Sequence, residues 1–322
     1  MKDLRVATVQ FEARDGDKDF NLERIRALTA EAVAAGAEFV SFHECSVTGY
    51  TFLMTLQREQ LLALAEEVPD GASVERLQAL SSELGVPLGA GLLERDGDAL
   101  FNTYVVVSPT GFVARHRKIH AFVSPFLTAG SEFTVFELLG WRWGILICYD
   151  NNLAENVRIT ALQGADIILM PHVTGGTPSP MPGRGVIDRS VWENRHNDPV
   201  SCRQEFRGPK GRGWLMRWLP CRVYENGVFA LFSNQVGIDH DTIKPGGAMA
   251  LDPYGEVLSE AHALGDDVVL ATLDPTRLEQ APGRRYRRAR RPELYKPLVA
   301  PPSAGEPPST TPGWTLERPP GS

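Results

Sequence analysis

A strand, a helix and a second strand follow one another at the start of the chain, and this order restricts the possible folds more than any other feature. Residues 4–10, LRVATVQ, form an apolar and β-branched run that reads as a strand. Leu22, Ile25, Leu28, Thr29, Ala32 and Val33 then recur at helical spacing, with Asn21 placed to cap the segment and Gly36 to stop it. Residues 38–42 read as the next strand. A strand, helix, strand order implies a crossover connection, so the expected class is α/β with layered architecture. Residues 56–68 and 73–84 carry helical periodicity. Residues 86–93, 101–108 and 112–118 read as strands joined by the tight turns Asp96-Gly97-Asp98 and Pro109-Thr110-Gly111. Such a meander is antiparallel, which makes the sheet mixed.

Three chemically capable residues stand where apolar runs stop. In WGILICYD (143–150) the apolar strand ends at Cys148, and Asn151, Asn152 and the amphipathic segment behind them read as a helix start. The free N–H groups and positive end of such a helix would favour the thiolate. An isolated cysteine is more often a small buried hydrophobe. Two other positions change that reading. Glu44 follows FVSF, where a buried run empties into a loop, and Lys118 ends a strand within RHRKIH. A carboxylate, an ammonium and a thiol at the ends of separate strands of one sheet can meet at a common rim. They are the parts of covalent acyl transfer: Glu44 as general base, Lys118 as oxyanion support and Cys148 as nucleophile. The backbone N–H of Tyr149 is the natural second oxyanion donor.

Beyond this stretch a helix over 153–163 and a strand over 166–170 lead to Pro171-His172. Between 173 and 221 glycine and proline become dense, and Arg184, Arg189, Arg195, Arg203, Arg207, Arg212 and Arg217 are spread through the segment. It reads as an excursion with short helices near 191–195 and 213–222, serving as pocket wall or lid rather than a separate domain. Strands return at 229–233, 247–251, 257–259 and 267–273. One domain over 1–299 is therefore expected, followed by a Pro/Gly-rich tail at 300–322 that lacks periodicity and reads as disordered or draped.

Composition removes several function classes. Of the 322 residues, 43% are hydrophobic and 23% charged, which suits a globular protein. A net charge of -7 argues against a nucleic-acid surface, so the six arginines between 284 and 291 read as ion-pair or subunit-contact residues. No stretch approaches the about 18 apolar residues of a membrane span, and the N-terminus lacks the apolar core of a secretory signal. Cys45, Cys148, Cys202 and Cys221 lack metal-ligand spacing and suit a reducing cytoplasm, the expected location.

FHECSVTGY (42–50), HRKIH (116–120) and GILICYDNN (144–152) resemble the three signature blocks of the carbon-nitrogen hydrolase (nitrilase) superfamily, in its order and at its spacing. The similarity runs from RVATVQ to RRPELY near residue 295. The resemblance implies a four-layer α-β-β-α sandwich with mixed sheets, no metal or organic cofactor, and a homodimer or higher homo-oligomer. It also implies hydrolysis of a small amide or N-carbamoyl (ureido) compound through a Cys148 thioester with release of ammonia. Tyr50, Asn151, Asn152 and His172 are the expected substrate-pocket residues. The closest likeness is to the amidase and N-carbamoyl amino acid amidohydrolase branches. True nitrilases usually place Trp and Glu after the cysteine, where this chain has Tyr149 and Asp150. Asn151 and Asn152 stand where carbamoylases carry carboxylate-gripping arginines, a role open to the arginines of the excursion. Many relatives also carry a second glutamate before a glycine, and Thr128 in FLTAG stands at the matching position. Either a glutamate from elsewhere, such as Glu193 or Glu205 in the excursion, enters the site, or the substrate is bound differently. The alternatives are a nitrilase acting on a nitrile and a catalytically silent binding protein of the same fold.

Overall fold

The computed structural model describes residues 1–300; the tail beyond them, with the expectation attached to it, lies outside the described residues. Two six-stranded mixed sheets form the centre of the molecule. The first runs Asp267–Leu273, Leu4–Gln10, Phe39–Ser41, Leu88–Asp96, Ala99–Ser108, Gly111–Arg117 in spatial order. The second runs Val257–Glu260, Met249–Leu251, Phe229–Asn234, Ile167–His172, Trp141–Ile145, Thr134–Leu138. In each sheet three adjacent strands are parallel: Leu4–Gln10 with Phe39–Ser41 and Leu88–Asp96, and Trp141–Ile145 with Ile167–His172 and Phe229–Asn234. Gly111–Arg117 is two antiparallel steps from Leu88–Asp96 and so points the same way. Within each sheet the strands leading to site residues therefore end at one edge.

Period-two alternation builds the layers. Leu4 and Val6 join Phe39, Trp143, Ile145, Phe229 and Leu231 in the core between the sheets, while Ala7 and Val9 of the same strand pack with Leu22, Ile25 and Leu28 of the helix Lys18–Ala34. Leu77 and Leu80 of the helix Ala72–Leu84 complete that outer layer. On the far side, Val157 of Ala154–Leu162 and Val223 of Leu219–Asn226 cover the second sheet through Ile168, Met170 and Phe232. This is the expected four-layer α-β-β-α arrangement. The sheets are also tied by polar contacts: Ser233 Oγ donates to the Phe42 carbonyl at 2.8 Å and lies 3.2 Å from Ser41 Oγ.

Local differences from the sequence reading have local causes. Asp17, not Asn21, caps the first helix, accepting from the Phe20 N–H; Asn21 is buried and spends its amide on the Arg14 and Val47 carbonyls. The expected helix over 56–68 is confined to Arg58–Leu64, preceded by a single 3-10 segment at Thr51–Thr55. The segment after Val173 holds four helices, Arg189–Glu193, Pro199–Arg207, Arg212–Leu215 and Leu219–Asn226, and it is followed by a hairpin of Val236–Asp239 with Thr242–Pro245. In the arginine-rich stretch, Arg284 pairs with Asp166 and Arg291 with Glu293.

Candidate active site

Glu44 sits three residues past the strand Phe39–Ser41, in a turn that crosses directly over Gly91. A Cβ at Gly91 would lie 2.3 Å from the Cys45 nitrogen, so only glycine lets the two backbones pass. Lys118 follows Gly111–Arg117 directly, its N–H donating to the Asn102 carbonyl at 2.8 Å and its carbonyl accepting from Gly130 at 2.8 Å. These frames bring two fully buried charges together. Lys118 Nζ donates to Glu44 Oε1 at 2.6 Å, Asn102 Nδ2 donates to the same oxygen at 2.7 Å, and the Val173 N–H donates to Oε2 at 3.1 Å. Burial works against the Lys118 ammonium, but Glu44 with Tyr50, Cys148 and Asp150 together outweigh it and hold the lysine pKa well above its ordinary value. Tyr50 contributes its hydroxyl at 3.4 Å from Nζ, and the Tyr50 and Phe122 rings lie 5.1 and 4.9 Å from the ammonium.

Against the expectation of one shared sheet, Cys148 arrives from the second sheet, because the two sheets pack face to face and their strand ends meet across the interface. Its strand ends at Ile145, and Cys148 opens a 3-10 turn, Cys148–Asn152, with a φ of 51°. Left-handed backbone at a non-glycine residue has to be held by its surroundings. Asn151 Nδ2 donates to the Leu146 carbonyl at 2.7 Å and contacts His172 Nε2 at 3.2 Å, and Arg222 donates to the carbonyls of Asn151 and Asn152 at 3.1 and 2.6 Å. Asp150 binds the Lys118 side of the site, accepting from the N–H groups of Ile119 at 3.1 Å and His120 at 2.9 Å and from His120 Nδ1 at 2.7 Å. Burial opposes the Asp150 charge, but His116, whose Nε2 lies 3.9 Å away, the hydrogen-bonded His120 and Lys118 together prevail and hold its carboxyl well below the usual range.

The Cys148 thiol lies beside the Glu44 carboxylate and within the influence of Lys118, and the Val173 N–H also bears on the sulfur. Here the structure departs from the expected thiolate. Burial and then the Glu44 charge push the thiol up to about 12, more than Lys118 offsets, and the regular helix starts only at Ala154. The sulfur is neutral at rest, beside a carboxylate placed to take its proton.

Glu44, Lys118, Cys148 and Tyr50 thus converge. Asn151 and His172 also meet, but both are buried with their contacts turned toward the turn itself and toward Phe232 and Trp218; Asn152 is half-buried. Thr128 is exposed, and neither offered glutamate enters: Glu193 pairs with Arg189 and Glu205 with Lys210. Val123 and Ser124 are buried on that loop, Val123 packed in one cluster with Tyr50 and Val173. Sequence reasoning missed Asn102, although an asparagine inside the apolar run FNTYVVV is a usable signal; the Val173 N–H left none. Among the described residues no group of three or more His, Cys, Asp or Glu is placed to hold a metal ion.

Comparison with known proteins follows this geometry. A variant of the amidase from Nesterenkonia sp. AN1 in complex with acrylamide superposes with a TM-score of 0.68 at 21% identity, covering 92% of this chain and 97% of its own, and so shares the fold. A protein from Pyrococcus abyssi named nitrilase is 30% identical over 274 residues, covering 84% of this chain and 90% of the relative. An (R)-stereoselective amidase from Pseudomonas sp. is 30% identical over 262 residues, 80% of this chain and 81% of its own. The model of the family described as carbon-nitrogen hydrolase matches residues 5–282. The chain therefore belongs to the carbon-nitrogen hydrolase family of the nitrilase superfamily, enzymes that act on carbon-nitrogen bonds other than peptide bonds.

Proposed function

We propose that this enzyme hydrolyses a small amide or N-carbamoyl compound through a Cys148 thioester. The observation that carries the reading is the contact of a neutral buried thiol with a carboxylate that is itself held 2.6 Å from an ammonium. As the sulfur attacks the carbonyl carbon, the thiol proton passes to Glu44 and the carbonyl π pair moves onto oxygen. Lys118 and the Tyr149 N–H hold that oxyanion. Collapse re-forms the carbonyl and breaks the C–N bond, the nitrogen leaving as ammonia with the proton from Glu44. The freed carboxylate then takes a proton from water, which attacks the thioester, releases the acid and restores the thiol. Because Glu44 must shed and regain one proton per half-reaction, fixing it with three donors keeps its position constant through both.

We further propose a single hydrolase domain over 1–299 with 173–221 as pocket wall, a cytoplasmic location supported by four unpaired cysteines, and a homodimer or higher homo-oligomer. The name of the Pyrococcus abyssi relative keeps nitrile hydrolysis as the second reading. The test supplies purified protein with matched amide, carbamoyl and nitrile substrates, reads ammonia, and looks for an acyl mass shift on Cys148. Ammonia and the adduct appear with an amide or carbamoyl substrate and vanish in Cys148→Ala; turnover of nitriles alone, or undiminished turnover by that variant, defeats the reading.

A further inference from the structure

A second fully buried ion pair lies apart from the residues that act on the substrate. Asp239 and Lys244 belong to the hairpin of Val236–Asp239 with Thr242–Pro245, in which Asp239 stands opposite Thr242 and Gly237 opposite Lys244. The two charges are therefore diagonal neighbours on one face, a separation that a lysine side chain spans. Lys244 Nζ lies 3.3 Å from Asp239 Oδ2, and the two side chains are 1% and 0% exposed. Taking both ions out of water is costly, so such a pair is weak evidence for stability as its purpose. What else Asp239 holds accounts for its placement. Its Oδ1 accepts from the Thr51 N–H at 3.1 Å and its Oδ2 from the Thr51 hydroxyl, so backbone, hydroxyl and ammonium converge on one carboxylate.

Thr51 directly follows Tyr50 and opens the 3-10 segment Thr51–Thr55. Glu44 has three donors of its own, whereas the Tyr50 hydroxyl meets Lys118 Nζ at 3.4 Å, too long a contact to hold the ring in place. The firm anchor is the next residue, clasped by Asp239. Its importance follows from the shape of an ammonium, which has three N–H bonds in a tetrahedral array. Lys118 directs one at Glu44 Oε1 and a second at the Tyr50 oxygen. Those two directions fix the third, the one left for an oxyanion. A tyrosine that swings away loosens the aim of that N–H while the Glu44 contact stays in place.

We infer that Asp239, itself held by Lys244, is a positioning residue that acts through Thr51 to fix Tyr50, and that Tyr50 in turn aims the Lys118 ammonium at the reacting carbonyl. This rests on the hydrolase reading above. The test uses the best of the amide or carbamoyl substrates found there. Thr51→Val, which deletes one donor and leaves no charge unpaired, lowers kcat by about fivefold with KM within about twofold, and Thr51→Ser restores kcat. Asp239→Asn combined with Lys244→Met, which removes both charges together, lowers kcat by about tenfold. Tyr50→Phe lowers kcat by itself, and in that background the loss from Thr51→Val shrinks to about twofold or less, because the group through which Thr51 acts is gone. Residue-resolved alkylation of Cys148 by iodoacetamide at mildly alkaline pH repeats the cycle without turnover, since Lys118 favours the thiolate. Thr51→Val slows alkylation when Tyr50 is present and leaves it unchanged in Tyr50→Phe. Full kcat in Thr51→Val, a rise in KM in place of the kcat loss, or equal losses with and without the Tyr50 hydroxyl overturns the inference. If the wild-type protein releases ammonia from no amide, carbamoyl or nitrile substrate, the hydrolase reading falls and alkylation alone decides the positioning role: coupled losses keep it, and additive or absent losses overturn it.

Discussion

Glu44 and Lys118, both delivered by the sheet that begins the chain, are charged, fully buried and held to each other at 2.6 Å, whereas Cys148, delivered by the other sheet, is neutral at rest and fixed by its backbone. The first pair depends on mutual neutralisation: each ion is tolerated in the interior because the other is present. The sulfur depends on a turn pinned from outside by Asn151, Asp150 and Arg222. Removing one ion therefore endangers the fold, while removing the sulfur endangers only the chemistry.

The largest expected effect is on Cys148→Ala, which should lower ammonia release by about 10,000-fold or more while leaving the unfolding midpoint nearly unchanged. A large loss of stability in this variant breaks the comparison. Lys118→Ala should also lose about a thousandfold in activity, and in addition about 3–5 kcal/mol of stability in urea, because the Glu44 charge stays buried without its partner. Glu44→Gln combined with Lys118→Met should lose less stability than Lys118→Ala alone; additive losses would show that the two ions do not depend on each other.

Two smaller effects concern protons. Because burial and Glu44 push the Cys148 thiol up to about 12, its alkylation by iodoacetamide should keep rising about tenfold per pH unit through alkaline pH. A plateau near neutrality would mean that the turn stabilises a thiolate after all. Buried His43 and His172 are neutral in the fold, burial pulling His43 down to about 4 and His172 well below its ordinary value. As pH falls below about 6.5 the unfolded chain takes up protons that these imidazoles refuse, so stability drops toward pH 4, by up to about 3 kcal/mol for His43. His43→Asn should flatten that slope in pH-dependent thermal unfolding.

The strand tips were legible because Glu44 and Lys118 each end a strand on a charge that has no place in a core, and they single out the cysteine that ends a third. The layers were legible too, since Leu4, Val6, Ala7 and Val9 alternate cleanly between two faces. What escaped the sequence was pairing at a distance. Thr134–Leu138 is a partly exposed edge strand whose place is set by its register with Trp141–Ile145, and its Leu139-Gly140 turn takes positive φ at both residues without the usual Asn or Asp. In the segment after Val173 the helix Pro199–Arg207 had a readable start, with Asp198 accepting from Ser201 and proline at the first position. Glycine and proline density around it concealed that signal. The protonation state of Cys148 was misjudged for a related reason, since a helix dipole can be inferred from neighbouring residues but the depth of the sulfur and its contact with Glu44 cannot.

Asp150 clasps two successive amides just beyond Lys118 while its own backbone continues from the nucleophile's turn. Ammonium and sulfur are thereby yoked: a shift of either wall drags the other, and the gap between them keeps its width when the surroundings move. Substrate range is then open to redesign through the arginine-bearing segment without detuning the distance on which bond cleavage depends.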